Sequence, residues 1–399
     1  MAVPGDVEIS QCIINSPRGS LDLNHLYTSA RVYESTLVEN NIVEIDVFDT
    51  DDALGNLSLL GDETINFSFC APGTPVLDYV FALDKVELAD TDNPKSKQYI
   101  VHGVGKEAMY AKTNFVKKSY KTDISSIVTD IHKTFLKSAH AIITEVTDGI
   151  QQLVIPNMRP FDAIDMVRRR AVSSVNPSST FLYFENADGH NFKTIEGMMK
   201  QGPVKVFVHG DAVGSSIYNN TTNNIINYQV PKIISSTERI ALGGMSQRVA
   251  TFDIRTRKFS FKDVKPTQSG WNSSAFQAAY GAVFGLFHLL PTTSVTNNTN
   301  IPTSTPEQMG YLSNLLQCNI VIYVNGDTTV KAGDTITINI PQSITTTGIT
   351  ANDPTISNNY LVSRLCRNID KIEVTPRYTE TIEGIVAAPL NNEMLGVRG

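Results

Sequence analysis

Apolar residues fall at every second position towards both ends of this chain and at every third or fourth position in its middle. That change of period decides what it can build. Val43, Ile45 and Val47 alternate with Glu44 and Asp46, and Ile65, Phe67 and Phe69 alternate with Asn66 and Ser68. Successive side chains of a strand point to opposite faces, so this spacing buries one face of a sheet. Turn residues divide the runs at Ser16-Pro17-Arg18-Gly19, Asp49 to Gly55, Pro72-Gly73 and Asp90 to Pro94, where glycine, proline and aspartate supply the backbone angles of turns. An antiparallel barrel or sandwich is expected over the first 114 residues. Near the other end, Ile320, Ile322 and Val324 alternate, Asn325-Gly326 marks a turn, and Ile336, Ile338 and Ile340 alternate again. A second β region is expected there, with no fixed-period repeat relating the two. The 399 residues exceed the roughly 250–300 at which single cores stop growing, so more than one domain is required.

Between these regions the period is helical. Ile124, Ile127, Val128, Ile131 and Phe135 follow a Thr122-Asp123 start signal. After Pro160, a second helix places Phe161, Ile164, Val167 and Ala171 on one stripe, with Asp162 and Asp165 early and Arg168 and Arg169 late, as the helix dipole favours. FLYFENADGHNF, from Phe181 to Phe192, reads as two short strands around a Glu185 to His190 turn, Asp188-Gly189 tolerating positive φ. The Asn- and Gly-rich stretch Gly202 to Tyr228 and the polar stretch Thr292 to Thr305 read as loops or inter-domain connections. A third helix is expected from Thr305-Pro306-Glu307, carrying Met309, Leu312, Leu315 and Leu316.

The chemistry is mostly negative. A formal charge of -7 and a pI near 5.5 exclude tight duplex binding, which rests on clustered Lys and Arg. Cys12, Cys70, Cys318 and Cys366 form no C-x-x-C pair and read as small buried hydrophobes. No secretory signal opens the sequence, so synthesis in a reducing cytoplasm is expected. Gly103-Val104-Gly105-Lys106 fails the phosphate-loop pattern, with Ile100 five positions before Gly105 and Glu107 after the lysine. An EF-hand loop starting at Asp49 would put Leu60 at the glutamate position, so the Asp46, Asp49, Asp51 and Asp52 cluster reads as a solvated turn. Glu185 and Asp188 are assigned to turn propensity, and Arg168-Arg169-Arg170 to a solvated face or intersubunit salt bridges. Ala275 to Leu290 is 16 residues long, short of the roughly 20 of a membrane span. A buried helix or an intersubunit surface accounts for it better. No catalytic residue, cofactor or metal ligand set is expected.

Leu153 to Gln201 combines an I-P-N-x-x-P-F-x-A-I segment, a helix, F-x-x-F-E-N-x-x-G-x-x-F and a short Glu-containing helix. The residues are Ile155, Pro156, Asn157, Pro160, Phe161, Ala163, Ile164, Phe181, Phe184, Glu185, Asn186, Gly189 and Phe192. This stretch resembles the central baseplate hub subunits of T-even-type contractile-tailed bacteriophages, as does the V-K-A-G-D-T-I segment Val330 to Ile336. The resemblance implies an α+β fold of two antiparallel, tail-tube-like β-barrel domains with an inserted mixed helical and hairpin domain. The first barrel would span 1–114 and the insert 115–230 with 269–316. The second barrel would span 231–268 with 317–385, and a C-terminal arm 386–399. It further implies a non-enzymatic homotrimer in the virion baseplate, joining a sixfold tail tube to a threefold spike. Its partners would be a trimeric central spike protein, tail-tube or tube-initiator proteins and baseplate wedge proteins. Genomic DNA would be passing cargo only, helped through by a negative lumen, and no stable membrane association is implied. A tail-associated cell-wall hydrolase and a receptor-binding tail protein are the alternatives.

Overall fold

The structure is a computed structural model that describes residues 4–57, 59–89, 96–176, 179–209, 222–232, 247–253, 257–264, 286–292, 318–342, 352–353, 356–372 and 375–386. The expected third helix, the loop near Asn220, most of Ala275 to Leu290 and of Ser343 to Asn359, and the arm beyond Val386 lie outside the described residues.

Seven strands make up most of the wall of the first core: β1 (Glu8–Ser16), β2 (Gly19–Asp22), β3 (Tyr27–Ser35), β4 (Ile42–Asp49), β5 (Thr64–Cys70), β6 (Leu77–Ala89) and β7 (Lys97–Gly105). Helix α1 (Ala53–Asn56) interrupts them, and α2 (Lys106–Thr113) follows β7. Their pairings are antiparallel, in the order β3-β4-β7-β6-β5-β1-β2. The alternating rows behave as their spacing predicts: Val43, Ile45, Val47, Ile65, Phe67 and Phe69 are fully buried. Asp49 is buried as well, because its carboxylate accepts the backbone N–H groups of Asp51, Ala53 and Leu54 at the start of α1. It anchors that turn rather than facing solvent.

The helical middle contains β8 (Val116–Thr122), α3 (Ile124–Thr134), β9 (Ile143–Thr144), β10 (Gln151–Met158), α4 (Pro160–Arg168), β11 (Phe181–Asn186), β12 (Gly189–Thr194) and α5 (Ile195–Met199). Ile124, Ile127, Val128 and Ile131 of α3 pack with Ala163, Ile164 and Val167 of α4 in one core. Asp123 caps α3 by accepting the backbone N–H of Ser126. Burial opposes its ionisation, but hydrogen bonds from Ser125, Ser126 and Thr122 hold the carboxyl down at about 2. Asp123→Ala is expected to cost about 1 kcal/mol of stability at neutral pH. Because the folded value is depressed below the ordinary 3.8, the cap's contribution is complete above that value and fades as pH falls towards 2. Urea titrations of both proteins at pH 7 and pH 2.5 read the difference.

The remaining strands are β13 (Lys205–His209), β14 (Asn224–Lys232), β15 (Gln247–Asp253), β16 (Lys258–Val264), β17 (Leu286–Thr292), β18 (Cys318–Asn325), β19 (Thr335–Asn339), β20 (Asn358–Ile372) and β21 (Thr375–Val386). Six of them close a ring in the order β19-β13-β14-β18-β21-β20, with β20 pairing back to β19. This corrects the expected antiparallel barrel: β13 runs parallel to both of its neighbours, so the closed barrel is mixed. It also corrects the reading of Gly202 to Tyr228 as connections, since β13 and β14 lie within it or extend from it. In the ring, β13 and most of β14 precede residue 231, while β15, β16 and β17 form a separate sheet. The described end of the Ala275 to Leu290 run is strand β17, not helix. With only five short helices among the described residues, the protein is mostly β rather than α+β.

The long β20–β21 hairpin serves both cores. Its outer half pairs with β19 and β18 in the closed ring, and its tip half runs along β3 from Arg364↔Ser35 to Asp370↔Ser29. Ile369 and Tyr378 consequently join the first core, and Asp6, just ahead of β1, forms a bridge with Arg377 of β21. One hydrogen-bonded sheet of thirteen strands thus runs through both β regions. Among the described residues, no helix is long and apolar enough to cross a membrane.

Candidate functional site: a three-way joint at Val330 to Asp334

The loop between β18 and β19 touches the first β region, the β11–β12 hairpin and strand β20. In the first β region, Thr328 donates its hydroxyl to the Pro75 carbonyl at 2.7 Å and shares a hydrogen bond with the Thr74 hydroxyl at 2.6 Å. Deeper in, the Val330 carbonyl accepts from Arg367 at 2.7 Å, and the Ala332 N–H donates to Glu34 at 3.0 Å. On its other side the Ala332 carbonyl accepts from Asn186 of the β11–β12 turn at 3.0 Å, and Lys331 pairs with Asp188.

Arg367 is the centre of this joint. Its side chain is fully buried, and so are those of its acidic partners Glu34 on β3 and Glu380 on β21. The guanidinium donates to Glu380 at 2.7 Å, to the Tyr378 hydroxyl at 3.0 Å and to Glu34 at 3.4 Å. Tyr79 of β6 donates its hydroxyl to Glu34. Burial pushes Glu380 up to about 7 against the pull of Arg367. A planar fork with five donors can satisfy this many acceptors at once, which a lysine cannot.

The residues that carry the sequence resemblance lie on two sides of one hairpin. Ile155, Ala163, Ile164, Phe181 and Phe192 belong to the α3–α4 core, where the Phe181 and Phe192 rings stack with centroids 4.7 Å apart. Pro160 is buried at the first position of α4, and Phe161 packs partly buried beside Tyr183. Phe184 faces the opposite way, into a small core with Leu182, Ile195, Met198, Leu361 and Ile385. Pro156 and Asn157 are exposed and occupy a register shift in β10, Asn157 having φ +46°. A bulge suits a residue without an N–H beside one that tolerates left-handed backbone. Gly189, at φ +113°, completes the turn.

Glu185 has a role beyond turn propensity: its carboxylate accepts the Asn41 N–H at 2.8 Å, and burial pushes it up to about 8. Arg168 and Arg169 both pair with Asp165, the Arg169 side chain remaining 68% exposed. Of the cysteines, Cys12 is buried, while Cys70 and Cys366 are only half-buried.

Sequence reasoning missed Glu34, Arg367 and Glu380, although a trace was present. Each interrupts an inward apolar row: Ala30, Val32, Glu34; Leu365, Arg367, Ile369; Tyr378, Glu380, Ile382.

No family model matches the sequence, and no curated protein is significantly similar to it. Solved structures are similar in fold. A tail protein from Neisseria meningitidis superposes with a TM-score of 0.60 at 8% identity, over 96% of this chain and 100% of that one. The 43 kDa tail protein of prophage MuSo2 from Shewanella oneidensis gives 0.57 at 10% identity, over 96% and 98% of the two chains. At these identities the likeness is one of fold, and it extends over nearly the whole length of all three chains.

Proposed function

We propose that this chain is a structural, non-enzymatic subunit of a phage-tail tip: the central hub of a contractile-tail baseplate, assembled as a homotrimer. The observation that carries the reading is the sheet that runs through both β regions by way of β20 and β21. Two β units held in one sheet, and locked by a buried ion network, keep a fixed mutual geometry. A subunit of that kind can occupy two adjacent places of a pseudo-sixfold ring, so three copies face a sixfold tube on one side and a threefold spike on the other. Such a ring is closed and heterologous, each copy using different patches on its two sides. The full-length likeness in fold to two tail proteins supports the same reading.

The partners proposed are the trimeric central spike protein, tail-tube or tube-initiator proteins and baseplate wedge proteins. The formal charge of -7 suits a channel wall that repels phosphates and lets DNA pass without sticking. Co-expression with the neighbouring tail proteins is expected to give a complex containing three copies, and cryo-electron microscopy of the intact tail is expected to show them as a ring at its tip, lined by negative charge. A monomer in the presence of the spike protein, or its absence from the tail tip, overturns the hub reading. Clearing of cell-wall substrate in a zymogram would instead favour a tail-associated hydrolase.

A further inference from the structure

Glu185 and His190 are directly opposed across the β11–β12 hairpin, so their side chains leave the same face. Glu107, in the first turn of α2, approaches them from the end of β7. One ligand atom from each of the three lies within 4.8 Å of the others. His190 is 1% exposed, and neither ring nitrogen has a hydrogen-bond partner. A buried imidazole normally satisfies both, as a donor and an acceptor. Its neighbour His132, with ring centroids 4.9 Å apart, cannot serve it. The His132 Nε2 donates to the His140 carbonyl, and Nδ1 accepts from the Tyr183 hydroxyl, each at 3.0 Å.

The surroundings are acidic. The charged side chains that act on Glu185 are Glu107 and Glu34, and the groups that offset its burial are the Asn41 N–H and the Asn40 amide. The pocket also depends on a glycine: a Cβ on Gly105 would lie 2.7 Å from the Glu185 carboxylate and 2.5 Å from the Asn40 amide. Two carboxylates and an unpartnered imidazole in a buried setting are a ligand set for a cation.

We propose that Glu107, Glu185 and His190 bind a divalent transition-metal ion of the zinc class, each contributing one ligand atom. The imidazole favours zinc over magnesium or calcium, which take oxygen ligands. Zinc holds such ligands at about 2.0–2.2 Å, so the donors, now within 4.8 Å of one another, would draw together around the ion. Three protein ligands leave a further position for water. The ion would tie the β11–β12 hairpin to the end of the first β region, a structural role that does not rest on the tail-hub reading.

The test uses the full chain, stripped with chelator and dialysed. Wild type is expected to take up one zinc ion per chain by elemental analysis. Cobalt titration is expected to give visible d–d absorption that zinc abolishes, and zinc is expected to raise the melting midpoint. Glu107→Gln preserves shape and removes one charged ligand, so its zinc affinity is expected to drop at least tenfold. His190→Ala is expected to lose the cobalt spectrum, its folding being checked by circular dichroism. Should His190→Ala fail to fold, Glu107→Gln decides alone. Wild-type affinity no tighter than that of Glu107→Gln, or an unchanged cobalt spectrum in folded His190→Ala, overturns the proposal.

Discussion

Replacing Arg367 with alanine is expected to destabilise the protein by about 3–5 kcal/mol, the range for breaking a buried ion network by removing one partner. The cost follows from what the substitution leaves behind. Glu34 and Glu380 stay buried without their cation, and the Val330 carbonyl loses its donor. Arg367→Lys is expected to recover only part of the loss, because a single ammonium cannot reach Val330, Tyr378, Glu34 and Glu380 together. The pH dependence gives a second signature. Burial already places Glu380 at about 7, above its ordinary 4.5, although Arg367 pulls it down; without the guanidinium the carboxyl rises further. A raised carboxyl value means stability that is present below the ordinary value and lost as pH rises through the folded one. The deficit of Arg367→Ala is therefore expected to be larger at pH 8 than at pH 5. Urea midpoints at the two pH values measure it, and a deficit independent of pH would contradict the role given to Glu380.

Phe184→Ala is expected to cost about 3–5 kcal/mol, as for other buried phenylalanines. Its effect should also be localised. With Leu182, Phe184 is one of the two β11 side chains that share a core with Leu361 and Ile385 of the long β20–β21 hairpin. Removing it opens a cavity where the β11–β12 hairpin meets the closed ring, while Phe181 and Phe192 keep the other side packed. Hydrogen exchange in β11, β12 and α5 is expected to accelerate before that in β3 and β4. Gly333 probes the same contact from the loop. It has φ +91°, and a Cβ there would lie 2.8 Å from the Phe184 ring. Gly333→Ala therefore combines backbone strain with a clash and is expected to destabilise by about 1–3 kcal/mol. If Phe184→Ala relieved that clash, the double variant would lose less than the sum of the two singles.

Much of the local architecture was legible in the sequence. The rows around Val43 to Val47 and Ile65 to Phe69 bury as their alternation predicts, and the Asp123 cap and the Pro160 start open the expected helices. Asn186 and Gly189 turn the expected hairpin. These features depend on neighbours within a few positions, where side-chain periodicity and backbone angles act directly. The joint was not legible. Arg367 and Glu34 stand 333 positions apart, and an isolated strand gives no reason for a charge in its inward row. Glu185 is a comparable case, since its place in a turn-forming dodecamer suggested turn propensity alone, whereas packing against Asn40, Asn41 and Gly105 buries it.

The sequence by itself determined the two β regions, the helical stretch between them and the hairpin that carries the resemblance, because a period of two or of three to four is enough to choose strand or helix and its buried face. Only the tertiary structure decided how these parts close. The parallel placement of β13, the sharing of β20 and β21 between two cores, and the bridge from Asp6 to Arg377 are pairings between distant segments. Backbone hydrogen bonds are the same for every residue type, so the partner of a strand is chosen by the packing of whole faces, which periodicity along one strand does not encode.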